Sequence, residues 1–540
     1  MCLGSRRPSF LLSAAKSHEQ AIQLRPRSIS VDNLHMPEPE HVDVAVVGAG
    51  AAGCVVASRL TEAGHRSVLL LEAGPDPRPD LPPMLVDGWR ITRDFDWGYT
   101  SEPDALGNVH KLRRHKLVGG TGWVTRYALR GSAAGFDDWR SRGNADWGFY
   151  DMLPWLKRLE RDLDFGDRPW HGKNGPIPIT RYPKLPSSEV GEATLRAYEA
   201  AGFAAVDDLN QPGVVGFGRM PMSSRDGVRV TTAQAYLPPP GTASSLRVRA
   251  DTAVDAVTFS GSHATGVALA DGTVIGADRV VLSAGSYGSP SILLRSGVGP
   301  EKHLREVGIP TLVELPGVGS NLGSDIAVDV DCGYRGKAQD APTFRYVAIF
   351  HTSGQHAGEA PNLMFWPADP YGAPAAYTID TLLLRPTSRG SVRLRSSDVE
   401  SPPVIDLRLL SERSDLELLA EGYERAYEVA AQTELRSVCG GPLNPPVHDR
   451  RDLLRIVREN AYPLPHVFGT CAMGPSPEDG AVVDVSGRVH GTHGLYVIDA
   501  SIMPSVPSAF THIPTIAIAE RLSEHVAHDA GFSDRDTSRS

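Results

Sequence analysis

The stretch His41-Val42-Asp43-Val44-Ala45-Val46-Val47-Gly48-Ala49-Gly50-Ala51-Ala52-Gly53 decides how the front of this 540-residue chain folds. Its β-branched run to Val47 suits a strand buried in a parallel sheet. Three glycines follow at the spacing G-x-G-x-x-G, and Val55 to Leu60 continue with a helical pattern. Gly48 permits the tight turn from strand to helix, Gly50 lets the backbone approach a pyrophosphate, and Gly53 lets the helix pack on the strand. The N–H groups that open the helix at Ala51 and Ala52 then face the phosphates at the positive end of its dipole. A second strand, Ser67 to Leu71, delivers Glu72 and Ala73 at its carboxyl end. A carboxylate there can accept hydrogen bonds from both ribose hydroxyls and repels a 2′-phosphate. Glycine-rich turns alone are common, but strand, turn, helix, strand and acid in this order predict a bound dinucleotide. The motif itself admits NAD or FAD.

More than 400 residues later comes Pro465-His466-Val467-Phe468-Gly469-Thr470-Cys471-Ala472-Met473-Gly474, then Val497-Ile498-Asp499-Ala500-Ser501. Between the two ends lie Arg114-His115-Lys116-Leu117-Val118-Gly119-Gly120-Thr121-Gly122, then Ala284-Gly285-Ser286-Tyr287-Gly288-Ser289-Pro290 with Ser296-Gly297-Val298-Gly299-Pro300. Next come Leu315-Pro316-Gly317-Val318-Gly319 with Asn321-Leu322 and Asp325, and Arg385-Pro386 with Ser388-Arg389-Gly390. With these stretches in this order, the chain resembles the glucose–methanol–choline (GMC) flavoprotein oxidoreductases over roughly residues 41–528.

The resemblance implies an α/β fold: an FAD-binding Rossmann-like domain with an α+β substrate lobe built on an antiparallel sheet. The FAD domain would be discontinuous, assembled from 41–150, 244–333 and 465–530. The substrate lobe would take 151–243 and 334–464, leaving 1–40 as a disordered extension and 531–540 as a tail. Gly119, Gly120, Thr121 and Thr125 fall in the family's flavin loop, and Val254 matches a residue whose backbone meets the adenine. Asp499 and Ala500 fall where the family holds the ribityl and phosphate region. Thr511-His512-Ile513-Pro514-Thr515 opens an apolar helix whose N-terminus would stabilise charge at the flavin's N1 and C2=O, and Pro514 suits its first turn. Relatives with a covalent flavin carry a histidine immediately before the residue matching Thr125; here Val124 stands there, so the FAD is expected to be non-covalent.

An alcohol is oxidised when its carbon gives hydride to the flavin while its hydroxyl gives a proton to a base within hydrogen-bond reach. His466 occupies the place of the family's active-site histidine, and histidine titrates near neutrality. The chain departs from the family eleven residues after Asp499, where a second catalytic His or Asn is usual and Phe510 stands. A phenyl ring cannot hydrogen-bond an alkoxide. Either His512 substitutes, or His466 works alone while His512 supports the flavin. Trp123 is bulkier than the usual residue, and with Phe510 it is expected to shape the substrate pocket toward apolar or aromatic alcohols. Phe510 also keeps two other readings open: a lyase or photodecarboxylase on the same scaffold, and a flavin-binding protein without turnover. The electron acceptor, oxygen or a redox carrier, has no motif.

Composition agrees with an enzyme acting on a small molecule. A net charge of −10 and the lack of a basic, aromatic-interleaved run argue against nucleic acid. No apolar stretch approaches the ~20 residues that span a bilayer. Five widely spaced cysteines form no disulfide framework or CxxC pattern, which fits free thiols in a reducing, cytoplasmic compartment. Arg6-Arg7 before Phe10-Leu11-Leu12 is too broken by Pro8 and Lys16 for an export signal, and Met36 offers an alternative start. His110 to Lys116 is expected to be a solvated basic loop with one arm near the FAD phosphates. Trp139, Trp147 and Trp155 are expected to pack, and His490 and His493 have no third ligand at metal-site spacing, so no metal is expected.

Overall fold

The computed structural model describes residues 40–529, apart from 66, 87–93, 124–125, 185–186, 243, 335–345, 357 and 369–375. The extension over 1–39 and the tail from 531 therefore lie outside the described residues, as do Val124 and Thr125.

His41–Val47 sits mid-sheet because it can be buried on both faces. It runs parallel to Val68–Leu71 on one side and Val274–Leu282 on the other. Leu246–Arg249 extends the parallel sheet beyond Val68–Leu71, and Leu495–Val497 pairs with residues 280–282. A hairpin, Val254–Ser260 and His263–Leu269, adds antiparallel strands at the start of Val274–Leu282. Three strands of the parallel set end beside Gly48, Glu72 and Ser283, and the late strand Leu495–Val497 ends beside Ile498. In open α/β sheets ligands bind along that carboxyl edge.

The helix Ala51–Glu62 buries Ala52, Cys54, Val55, Val56 and Leu60. Across it lies the last helix, His512–His528. Their junction holds a buried carboxylate, Glu520, which accepts from Arg59 Nε and Nη2, both at 2.8 Å, and from the Tyr236 hydroxyl at 2.6 Å. Paired this way, the charge is tolerated away from water.

The second sheet is antiparallel, in the order Tyr462–Pro463, Ile326–Gly333, Ala376–Leu383, Leu363–Ala368, Tyr346–Phe350, Gly216–Arg219. Alternation sorts its side chains. Ile326, Val328, Val330, Ala348 and Phe365 pack under the helices Glu189–Ala200 and Arg413–Ala430. Ala327, Val347, Ile349, Met364 and Leu382 face the other way and join a separate cluster with Phe510.

Several sequence expectations change. Residues 326–333 pair along their length with Ala376–Leu383, so they belong to the antiparallel sheet and not to the nucleotide-binding piece. Met152, Leu156, Leu159, Ile177 and Ile179 join the nucleotide-sheet core, so this part of 151–180 packs with the nucleotide-binding piece. Outside both sheets, Ser391–Arg393 pairs with Val404–Asp406 in a two-stranded ribbon.

Near this lobe boundary Glu160, Asp162 and His171 come close enough together to hold a metal. Guanidinium groups take that role instead. Arg130 Nη2 lies 2.8 Å from Glu160 Oε1, and Arg181 Nη1 lies 2.9 Å from Asp162 Oδ2. His171 Nε2 is 2.9 Å from Asp208 Oδ2 and its Nδ1 2.8 Å from Glu160 Oε1. Burial opposes a charge on His171, but Asp208 and Glu160 hold its pKa above the ordinary value. The cluster is a buried ion network.

Among the described residues Cys54, Cys332, Cys439 and Cys471 are buried free thiols, and no helix is long and apolar enough to cross a membrane.

Candidate active site

Two of the three front glycines are demanded by the polypeptide. Gly48 has φ +96°, and a Cβ there would lie 2.7 Å from Ser283 O; a Cβ on Gly53 would lie 1.9 Å from Gly48 O. Gly50 differs: a Cβ there would meet nothing within 4 Å. The space above it is reserved, and the first turn from Ala51 has no side-chain cap. The flavin loop closes over this turn. Gly119 N–H donates to Ala49 O at 2.7 Å, and a Cβ on Gly120 would come 3.0 Å from Gly50 Cα. Thr121 is half-buried in the same single turn, Gly120–Trp123.

Glu72 sits at the strand end, 7% exposed, and accepts from Ala49 N–H and Gly74 N–H, both at 3.0 Å. Burial raises its pKa and those N–H groups oppose the rise. It thus ties the glycine turn to its neighbouring strand and keeps one lone pair per oxygen for a ribose hydroxyl. Ala73 is half-buried beside it. The chain before Val254 docks here, with Thr252 N–H on Glu72 O and Asp251 N–H on Gly74 O.

At the next strand end Asp499, 3% exposed, accepts from Gly285 N–H at 2.8 Å, Ser289 Oγ at 2.6 Å and Ser501 N–H at 2.7 Å. Burial pushes its pKa up against these donors. It holds Ala284 and Gly285 at the start of their helix, where Gly285 also faces open space, and Ala500 O accepts from Gly469 N–H. The last helix begins at Thr511 with no side-chain cap, and Ile513 and Pro514 are buried in its first turn. Open space over Gly50 and Gly285, uncapped helix starts and an acid at a strand end fit a dinucleotide.

The segment from His466 to Cys471 is stitched to this edge. Ser286 Oγ donates to Val467 O at 3.0 Å and Thr470 Oγ1 to Ser286 O at 2.7 Å. His466 is thereby set against the inner face of the antiparallel sheet. Its ring stacks on Phe510 with centroids 4.2 Å apart and planes 27° apart. Its Nδ1 lies 3.1 Å from Oδ2 of Asp325, a fully buried carboxylate. Burial raises the Asp325 pKa, and His466 pulls it back.

His512 lies beside Gly122, where a Cβ would be 3.7 Å from its Cε1. Burial, with the charges of Arg229 and His466, pushes its pKa down to about 4. The ring is neutral at physiological pH and can donate one hydrogen bond and accept another.

Two expected pocket residues move. Trp123 is 1% exposed; its indole N–H donates to Val118 O at 2.7 Å, and its ring fills the space a Gly119 side chain would need. It props the Gly120–Trp123 turn from within and offers almost no open surface to a substrate. Phe510 has no exposed surface. It backs His466, and its cluster is flanked by partly buried side chains, among them Tyr127, Trp366, Tyr462 and Leu464. Tyr127 and Trp366 meet Phe510 at 5.9 and 5.2 Å. The basic loop is also less solvated than expected: His115 is 5% exposed, Arg114 lies over the Tyr287 ring at 5.1 Å, and Lys116 lies over Trp97 at 4.8 Å. Sequence reading assigned no role to Asp325, Tyr127 or Trp366, because their contacts span from 141 to 383 residues and leave no local pattern.

Comparison with known proteins agrees. The two models of the GMC oxidoreductase family match residues 42–327 and 386–519. The chain is 33% identical to 5-(hydroxymethyl)furfural oxidase of Methylovorus sp., over 90% of this chain and 99% of that protein. It is 33% identical to oxygen-dependent choline dehydrogenase 1 of Chromohalobacter salexigens, over 91% and 96%. Among solved structures, pyridoxine 4-oxidase from Mesorbium loti superposes with a TM-score of 0.83 at 28% identity, over 90% of this chain and 99% of that one. The chain belongs to the GMC oxidoreductase family and is an FAD-dependent oxidoreductase.

Proposed function

We propose that the protein oxidises an alcohol, with His466 as the base that takes the hydroxyl proton. Bound FAD would supply the hydride acceptor, held by the glycine turn, Glu72, the 119–121 loop and the Asp499 region without a covalent link. One observation carries the reading: loops from the carboxyl edge of the nucleotide sheet hold the His466 imidazole against the inner face of the other sheet. Hydride and proton leave the same carbinol, so acceptor and base must meet at one point. His466 Nε2 receives the proton, while Nδ1 stays engaged with Asp325.

The substrate proposed is an apolar or aromatic alcohol. Phe510 offers no hydrogen bond, and the partly buried rings packed against it are those of Tyr127 and Trp366. Polyol hydroxyls laid against such a surface lose their water partners, at roughly 1–3 kcal/mol each. Anaerobic mixing with benzyl alcohol, 5-(hydroxymethyl)furfural, glucose and sorbitol tests this through bleaching of the flavin band. The aromatic alcohols should bleach it at least tenfold faster. Equal or faster bleaching by the polyols would overturn the preference.

A further inference from the structure

Asp325 and His466 stand 141 residues apart in sequence and meet through a single contact, Oδ2 to Nδ1 at 3.1 Å. Asp325 closes the turn that enters Ile326–Gly333, and its backbone is pinned from both sides: its carbonyl accepts from Leu464 N–H and from Ser324 Oγ. These bonds fix the Asp325 backbone, and with it the origin of the carboxylate, beside the histidine. Its side chain has no exposed surface, and Oδ1 has no hydrogen-bond partner. No arginine or lysine pairs with it among the ion pairs of the described residues. A buried carboxylate with one partner and one orphan oxygen destabilises a fold unless it serves that partner. The stacked Phe510 ring fixes the imidazole plane from the other side and has no polar atom to compete for either nitrogen.

We propose that Asp325 is a positioning residue that selects the reactive tautomer of His466. Accepting the Nδ1 proton, it leaves the Nε2 lone pair as the base. The balance is simple: the alcohol's hydroxyl proton forms a new N–H bond at Nε2, bound FAD would accept the hydride, and the carbonyl product departs. The imidazolium left behind donates from Nδ1 to the Asp325 carboxylate, so the positive charge forms beside a fixed negative one. In a site whose second polar partner is replaced by Phe510, this contact supplies orientation that the usual side chain cannot.

The proposal rests on the alcohol-oxidation reading, so its test has two arms. The first uses protein labelled with ¹⁵N-histidine and needs no turnover. In the wild type, the resonance assigned by its loss in His466→Ala should show a protonated Nδ1. In Asp325→Asn, which keeps shape but not charge, the tautomer should invert or mix. A wild-type His466 protonated at Nε2, or one unchanged in Asp325→Asn, would overturn the proposal. The second arm follows anaerobic flavin reduction by benzyl alcohol against pH. Asp325→Asn should retain FAD, lose on the order of 10²–10⁴ in rate, as wrong-tautomer variants of His–Asp pairs do, and shift its pH–rate limb downward because the imidazolium loses its anion. An unaltered profile would also overturn it. If benzyl alcohol fails to reduce even the wild type, the functional reading is at fault and the tautomer measurement still decides the role of Asp325.

Discussion

Gly50→Val separates the cofactor from the fold. Its two neighbours in the motif cannot accept a side chain at all, since a Cβ would lie 2.7 Å from Ser283 O at Gly48 and 1.9 Å from Gly48 O at Gly53. Gly50 has φ −77° and ψ −162°, backbone that valine adopts, and no protein atom within 4 Å of a Cβ. The apoprotein should therefore fold, with a helix-start penalty of about 1 kcal/mol or less. In the holoprotein the valine methyls reach about 2.5 Å from Cα, into space where a pyrophosphate would approach the Ala51 and Ala52 N–H groups. Two charge-assisted hydrogen bonds lost at ~1.5–3 kcal/mol each weaken FAD by roughly 3–6 kcal/mol, or on the order of 10²–10⁴-fold. Flavin fluorescence titration and melting with and without FAD read both effects. The variant should melt like wild-type apoprotein and gain no stability from FAD. Wild-type affinity would refute the assignment of that space to the cofactor, and Gly53→Ala, as a control, should fail to fold with or without FAD.

Acid precipitation should release all the flavin into the supernatant, because Val124 has no nucleophile; yellow colour in the pellet would contradict this. His512, with a pKa near 4, binds a proton more weakly folded than unfolded. Its stabilising contribution is therefore complete above about pH 6.5 and lost as pH falls toward 4, by on the order of 1–3 kcal/mol for this half-buried ring. His512→Asn should flatten that part of the melting-temperature curve, and an unchanged slope would remove His512 from it. His512→Ala should shift the flavin's absorbance or potential with KM nearly constant; lost hydride transfer with an intact spectrum would make it the second catalytic residue.

The nucleotide half was legible because its constraints are local. A strand, a glycine turn and a following acid lie within 32 residues, and Gly48 and Gly53 answer steric demands within or beside that unit. The strand Tyr346–Phe350 and the helix Arg413–Ala430 likewise carry their apolar patterning within one short segment. The pocket was not legible. Leu363–Ala368 contains Pro367, which hides a strand in sequence, and Ile326–Gly333 follows a nucleotide-domain motif but pairs elsewhere. Trp123 and Phe510 looked like pocket walls because bulk shows in a sequence and direction does not: one turns under its own loop, the other behind His466. The Asp325–His466 contact depends on two turns meeting, which no local spacing reports.

The most direct test of the account compares wild type with His466→Ala in anaerobic stopped-flow, with FAD occupancy measured beforehand and benzyl alcohol as reductant. Loss of a general base costs on the order of 10²–10⁴ in rate, so the variant should hold its flavin and bleach slower by that factor. A fully flavinated His466→Ala that bleaches at the wild-type rate would contradict the account.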